Sequence, residues 1–288
     1  MAENLGSILT AMVTPFDAAG NVDEDAAVSL MHHLIEHGSD GLVICGTTGE
    51  ASTLDDDEHL GMIRLAVEEM RGRCTIVAGV GSNDTRHAIH LTERATEIGP
   101  DALLHVNPYY NRPSRRGIVR HYEEICRATD LPILLYNIPQ RTGSDMSNDL
   151  LAELAQLDNI FGVKQANAAN LAKIDGMQIY AGNDDLLADV LDIGEPGGVL
   201  VASHVFGEEM HRMVDEPEHR REIDAGLKDV YADMPVAPLA CATKAALNLL
   251  GILPCGMPRL PYVELDDKEL EVIRAMLERH GLLQTSRA

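Results

Sequence analysis

The 288-residue sequence has no tryptophan, three phenylalanines and five cysteines. With so few large aromatics, its core has to be built from aliphatic and methionine side chains. Cys45, Cys74, Cys126, Cys241 and Cys255 are odd in number and scattered, with no CxxC pair. That excludes a disulfide-stapled secreted scaffold and makes reduced, mostly buried thiols the expectation. Positive charge is scarce too, since 23 Lys and Arg face 46 Asp and Glu for a formal charge of −23. Nucleic-acid binding draws its affinity from clustered cations, so a nucleic-acid partner is not expected. No run approaches the roughly 18 uninterrupted apolar residues of a membrane span. The first six residues, Met-Ala-Glu-Asn-Leu-Gly, lack the basic start and apolar run of a signal peptide. The expectation is a soluble cytoplasmic protein without a membrane partner.

What is present is a repeated alternation of short apolar runs with amphipathic stretches, the mark of parallel βαβ units. The runs are Ile8 to Val13, Gly41 to Cys45, Thr75 to Gly79, Ala102 to Val106, Ile133 to Tyr136, Phe161 to Val163, Gln178 to Ala181 and Val199 to Ala202. Continuous apolarity suits strands buried on both faces. Three- and four-residue apolar spacing predicts helices over Glu24 to His37, Asp57 to Met70, Arg86 to Ile98, Gly117 to Ala128 and Asn148 to Leu157. Thr53 with Asp56 reads as the N-cap of the second. From about Ala225 the strand signal stops and helical periodicity runs on to Leu283. The expected architecture is an α/β (β/α)8 TIM barrel over residues 1–224 with a C-terminal helical region over 225–288. A doubly wound sheet is disfavoured, because the first strand ends in Thr14-Pro15-Phe16 and Gly79-Val80-Gly81 does not complete GxGxxG.

Barrel enzymes carry their working groups at the carboxyl ends of strands. Four such ends stand out: Gly46-Thr47-Thr48-Gly49-Glu50, Pro108-Tyr109-Tyr110-Asn111-Arg112-Pro113, Tyr136-Asn137-Ile138-Pro139-Gln140-Arg141-Thr142-Gly143, and Lys164. Lysine is rare, and Lys173, Lys228, Lys244 and Lys268 lie in helical or strongly polar stretches where a solvated amine is the expectation. Lys164 instead ends an apolar strand, which would aim its amine into the barrel mouth. Desolvation there lowers the pKa and frees a nucleophilic amine. A Schiff-base reaction on a keto acid also needs proton shuttles, which Tyr136 and Thr47 can supply. The backbone N–H groups and hydroxyl of Thr47-Thr48 can hold a carboxylate.

These four motifs, in this order and over nearly the whole chain from Thr14-Pro15-Phe16 to Arg259-Leu260-Pro261, resemble the dihydrodipicolinate synthase/N-acetylneuraminate lyase family. The resemblance implies that Lys164 forms a Schiff base with pyruvate, that Tyr136 is the acid/base, and that Thr47 and Tyr110 complete the proton relay. It further implies that Thr48 holds the pyruvate carboxylate and that Gly198 and Leu200 belong to the backbone segment beside the lysine. Arg141 would hold the carboxylate of L-aspartate 4-semialdehyde, the second substrate in the diaminopimelate route to lysine. The tyrosine matching Tyr110 reaches a neighbouring subunit's site in the family, which implies a dimer as the minimal unit and a homotetramer, a dimer of dimers, as the usual assembly. No metal or organic cofactor is expected. Arg141 and the threonine pair favour the synthases over the lyases, since a guanidinium can clamp a small carboxylate with two parallel bonds. The alternative is another pyruvate-dependent aldolase or lyase of the family, acting on a sugar acid or other aldehyde. A catalytically silent sensor barrel would be expected to lack Lys164 or Tyr136.

The chain departs from the family in three places. Gln165 follows the lysine where many members are acidic. The stretch Pro238 to Lys244 lacks the Asn-Pro usual before the matching lysine, which puts the contacts of the tail with the barrel in question. Lysine-sensitive synthases have a histidine where this chain has Asp56 and a glutamate where it has His87, although Asn83 and Tyr109 are kept, so weak feedback by L-lysine is expected. His33 and His37 share a helix face without an evident third ligand, and read as surface. Asp55-Asp56-Asp57-Glu58-His59 reads as an acidic first turn matched to the helix dipole. Met62, Leu65 and Met70 read as core or subunit contacts.

Overall fold

A computed structural model describes residues 5–284, leaving residues 1–4 and 285–288, at the outer ends of the two expected segments, outside it. Eight parallel strands close into a barrel: β1 (Ile8–Ala11), β2 (Gly41–Ile44), β3 (Thr75–Gly79), β4 (Ala102–Val106), β5 (Ile133–Asn137), β6 (Ile160–Gln165), β7 (Gln178–Ala181) and β8 (Gly197–Leu200). The helices between and after them are α1 (Glu24–Glu36), α2 (Asp56–Met70), α3 (Thr85–Ile98), α4 (Arg115–Cys126), α5 (Pro139–Thr142), α6 (Asn148–Leu154), α7 (Leu187–Asp192) and α8 (Ser203–Asp215). Four more helices follow, α9 (Arg220–Gly226), α10 (Lys228–Asp233), α11 (Leu239–Leu249) and α12 (Asp267–Arg279). This is the expected TIM barrel with a helical extension. No described helix is long and apolar enough to cross a membrane.

Two apolar layers hold it together. Leu9, Ala11, Val43, Val77, Leu134 and Val199 fill the barrel interior. Their strand neighbours pack outward against the helices, for example Leu42, Ile44, Ile76 and Leu103 against Leu30, Met62, Ile63 and Leu91. Both strand faces are therefore apolar, which is why the runs read as continuous. Met62 and Met70 are buried in this layer and Leu65 packs against it.

Several boundaries differ from the sequence expectation. The N-cap of α2 is Asp55, which accepts from the Glu58 N–H while the Glu58 carboxylate accepts from Asp55 N–H. Thr53 lies in a preceding 3-10 turn. Asp56, Asp57 and Glu58 do form the acidic first turn. Strand β8 starts and ends two residues earlier than expected, and Lys164 lies within β6, one residue before its end. The last strand thus ends at Leu200, and the tail is not continuously helical, because residues 250–266 between α11 and α12 lie outside any helix. Of the cysteines, all free, Cys45 and Cys241 are buried and the other three are half-buried.

Three buried histidines should make the fold acid-sensitive. Burial, helped by nearby His121, pushes His105 down to about 3. It also takes His121 and His204 to about 4. Bond partners fix the tautomer of His204: Nδ1–H donates to Val201 O at 2.8 Å and Nε2 accepts the Val13 N–H at 3.1 Å. A proton on Nε2 would face a donor. The folded pKa values lie below the unfolded value, so the unfolded chain binds more protons below pH 6.5. Stability is then complete above that pH and is lost as pH falls toward 4, at up to about 1.4 kcal/mol per pH unit for each histidine. Urea unfolding across pH 7 to 4.5 should show this decline, and a flat profile would mean that the histidines titrate normally.

Candidate active site

Strand β6 has one residue more than its partner. Ile133 pairs with Ile160, but Leu134 pairs with Gly162, so Phe161 is a bulge. Without the bulge the two-residue alternation from Phe161, which faces the interior, would turn Lys164 outward. Past it, Leu134 and Gly162 share a register, then Tyr136 and Lys164. Both β5 residues belong to the interior cluster, so the lysine faces inward with them. Gly162 below it leaves no room for a side chain, since a Cβ there would meet Gln178 O at 2.9 Å and Leu134 Cδ1 at 3.1 Å.

Lys164 is 5% exposed, and its Nζ lies 4.3 Å from the centroid of the Tyr136 ring. Burial lowers its pKa to about 8, opposed by the nearby Asp184 carboxylate and assisted by the Arg141 guanidinium. Burial pushes the Tyr136 phenol up to about 12, with Arg141 pulling the other way. The site therefore holds an amine that is partly neutral at physiological pH beside a phenol that keeps its proton.

Tyr136 lines a cavity of about 440 Å³ whose wall also includes Thr47, Tyr109 and Arg141. Thr47 is exposed at its rim, and Arg141, on α5, is exposed as well. Thr48 is buried behind Thr47, and its side chain does not line this cavity. Tyr110 does not line it either: it is 89% exposed, at φ 68°. A left-handed, solvent-facing tyrosine is an uncommon arrangement in a single chain. Gly198 and Leu200 are buried in β8. The Leu200 side chain points outward into the layer shared with Ile8 and Phe206, so only its backbone can face the interior.

Two groups escaped the sequence reading. Asp184 follows β7, and its Oδ1 accepts from Val201 N–H at 2.8 Å and Ala202 N–H at 3.1 Å, tying the β7 and β8 ends together. The rule that singled out Lys164, a polar residue just past a strand, would also have found it. Lys244 is the larger correction: far from being solvated, its side chain is 0% exposed and pairs with Glu50 at 2.5 Å. The contacts of the tail with the barrel, in question from the sequence, are thus made.

The other clusters are plainer. The His33 and His37 rings lie 4.1 Å apart, tilted by 30°, at the C-terminal end of α1, with Nδ1 of His37 2.7 Å from His33 O. Among the described residues no group of three or more His, Cys, Asp or Glu could hold a metal ion. His87 Nε2 lies 3.0 Å from Asp56 Oδ1, both on the cavity wall, and Asn83 Nδ2 donates to Tyr109 O at 3.1 Å.

Comparison with known proteins agrees with this geometry. A curated relative from Halalkalibacterium halodurans, 4-hydroxy-tetrahydrodipicolinate synthase 1, is 41% identical over 278 residues, 92% of this chain and 94% of that protein. The crystal structure of the synthase from Cyanidioschyzon merolae with lysine bound superposes with a TM-score of 0.93 at 37% identity, covering 97% of this chain and 99% of the other. The chloride-inhibited synthase from Acinetobacter baumannii, complexed with pyruvate, gives 0.92 at 33% identity over 97% and 100% of the two chains. Residues 4–280 match the dihydrodipicolinate synthetase family as a whole. With an inward lysine set by a bulge, a phenol beside it and likeness over nearly all its length, the chain belongs to that family.

Proposed function

We propose that this chain acts as a 4-hydroxy-tetrahydrodipicolinate synthase, condensing pyruvate with L-aspartate 4-semialdehyde. The observation that carries the reading is the buried Lys164 amine 4.3 Å from the Tyr136 ring, in register on adjacent strands. The neutral amine adds to C2 of pyruvate, and loss of water gives the imine. Removal of a methyl proton gives an enamine, whose carbon attacks the aldehyde. The semialdehyde's own amine then attacks C2, displacing Lys164 and closing the ring. Each step moves a proton, and Tyr136, which keeps its own at neutral pH and whose ring lies 4.3 Å from the amine, is placed to shuttle it. Thr47 and the partner subunit's tyrosine at position 110 extend the relay. Thr48, through its backbone N–H and the turn it belongs to, holds the pyruvate carboxylate, with the Gly198 to Leu200 backbone on the other side of the lysine. Arg141 holds the carboxylate of the semialdehyde, and its exposed position suits a group that receives the second substrate after the first is bound.

The exposed left-handed Tyr110 also supports assembly as a dimer of dimers, in which each site borrows this side chain. A barrel of residues 1–224 with a helical region of 225–288 is the organisation we assign, supported by the last strand ending at Leu200. A cytoplasmic location fits a biosynthetic enzyme with unpaired thiols.

The test is borohydride reduction in the presence of pyruvate, followed by peptide mass analysis, beside a steady-state assay with the semialdehyde. A pyruvate adduct on Lys164 together with turnover is the expected result. An adduct without turnover would move the search to other aldehydes, and no adduct on folded protein would end the Schiff-base reading. Feedback is expected to be weak: His87, bonded to Asp56 at 3.0 Å, stands where lysine-sensitive synthases place the glutamate that holds the ammonium of L-lysine. A titration of activity with L-lysine should be nearly flat, and strong inhibition would count against this assignment of the cleft.

A further inference from the structure

Glu50 closes the Gly46-Thr47-Thr48-Gly49 turn in a left-handed conformation, φ 54°, and Cys45 at its start has φ 57°. Non-glycine residues hold such conformations only where their surroundings over-determine them. Here the surroundings come from the far end of the chain. Lys244 Nζ, on α11, donates to Glu50 Oε1 at 2.5 Å and to Met257 O at 3.3 Å. Oε2 of the same carboxylate accepts the Arg259 N–H at 2.9 Å. Nζ also lies 4.0 Å from the centroid of the Phe16 ring. Both members of the pair are 0% exposed.

The turn itself is stitched to this pair. Glu50 N–H donates to Thr47 O at 3.1 Å, and Thr53 Oγ1 donates to Glu50 O at 3.0 Å. On the opposite side Thr14 Oγ1 donates to Gly49 O at 2.6 Å. Only Gly49 separates Glu50 from Thr48, so a displacement of the carboxylate passes directly to the two threonines. A buried ion pair is a weak source of stability compared with a well-packed apolar pair. Its charge-assisted bonds do fix direction.

We infer that Glu50 and Lys244 are positioning residues for the Thr47-Thr48 turn, so that the C-terminal helical region takes part in holding the keto-acid carboxylate. The inference rests on the proposed function, which takes this turn as the pyruvate-carboxylate site. The semialdehyde carboxylate is assigned to Arg141 on α5, which gives the inference a signature that a general loss of stability lacks: the KM for pyruvate moves and the KM for the semialdehyde does not.

The experiment compares wild-type enzyme, the neutral double variant Glu50→Gln/Lys244→Met, and Arg279→Ala, which removes only ion pairs of α12 with Asp229 and Asp233. In the double variant the KM for pyruvate should rise about tenfold or more while that for the semialdehyde stays within about twofold. Arg279→Ala should leave both unchanged. If the double variant does not fold, Glu50→Asp, which keeps the charge and draws the turn back by one methylene, is read in the same way and should raise the pyruvate KM alone. An unchanged pyruvate KM in a folded variant, or equal shifts in both KM values, overturns the inference while the wild-type adduct on Lys164 keeps the functional reading intact. Absence of that adduct in wild-type enzyme sinks the functional reading and this inference with it.

Discussion

Lys164→Met should give folded protein that cannot be trapped with pyruvate and borohydride, and whose kcat/KM falls by on the order of 10⁴-fold or more, as expected when a covalent nucleophile is removed. Methionine nearly matches the lysine stem in volume and has no charge to desolvate. The variant should therefore melt no lower than the parent, separating chemistry from folding. The same amine sets the pH profile. Burial brings its folded pKa to about 8, and the reactive form is the neutral one. The kcat/KM for pyruvate should therefore climb with pH and level off above about 8, whereas an unperturbed lysine would push the rise beyond pH 10. An adduct that survives in Lys164→Met would have to sit on another lysine. Peptide mapping of such an adduct to Lys244 would contradict the ion pair that buries that amine.

How much of this was legible beforehand follows from what each residue touches. The strands could be read because both faces are covered, and Thr75–Gly79, Ala102–Val106 and Gln178–Ala181 fall where their apolar runs do. The Phe161 bulge could not be read, since a bulge exists only relative to a partner strand. It nonetheless decides the side on which Lys164 emerges. The α2 cap slipped by two residues because Thr53/Asp56 and Asp55/Glu58 satisfy the same pattern, and only the backbone N–H directions separate them. Lys244 was misread because its helix is buried on nearly all sides, so periodicity marks no polar face that would separate a buried lysine from an exposed one. Its neighbours Ala240, Cys241, Ala242, Ala246 and Leu247 were the available signal, since a lysine among small apolar residues on both sides has little solvent to reach. Tyr110 faces solvent, 89% exposed, so neither the sequence nor this one chain displays what it contacts.

That difference between the two tyrosines sets the second large effect. Tyr136→Phe should lower kcat by about 10²- to 10⁴-fold, the usual range for a positioned acid/base, because its phenol is buried beside the amine it serves. The pyruvate KM should change little if, as proposed, the carboxylate contacts lie on the Thr47-Thr48 turn. Tyr110→Phe should also lower kcat, but its deficit should be rescued in trans. Mixing inactive Lys164→Met subunits with inactive Tyr110→Phe subunits, then allowing exchange, would form sites that take Lys164 from one chain and Tyr110 from the other. Recovered activity in the mixture would mean that the 89%-exposed Tyr110 works in its partner's site. With no recovery despite mixed dimers seen by native mass analysis, Tyr110 would have to act within its own chain, and its exposure would then have to be lost on substrate binding. A Tyr136→Phe variant with near-normal kcat would pass the proton to another hydroxyl on the wall of the cavity, such as Thr47, and leave the tyrosine ring as packing for the lysine stem.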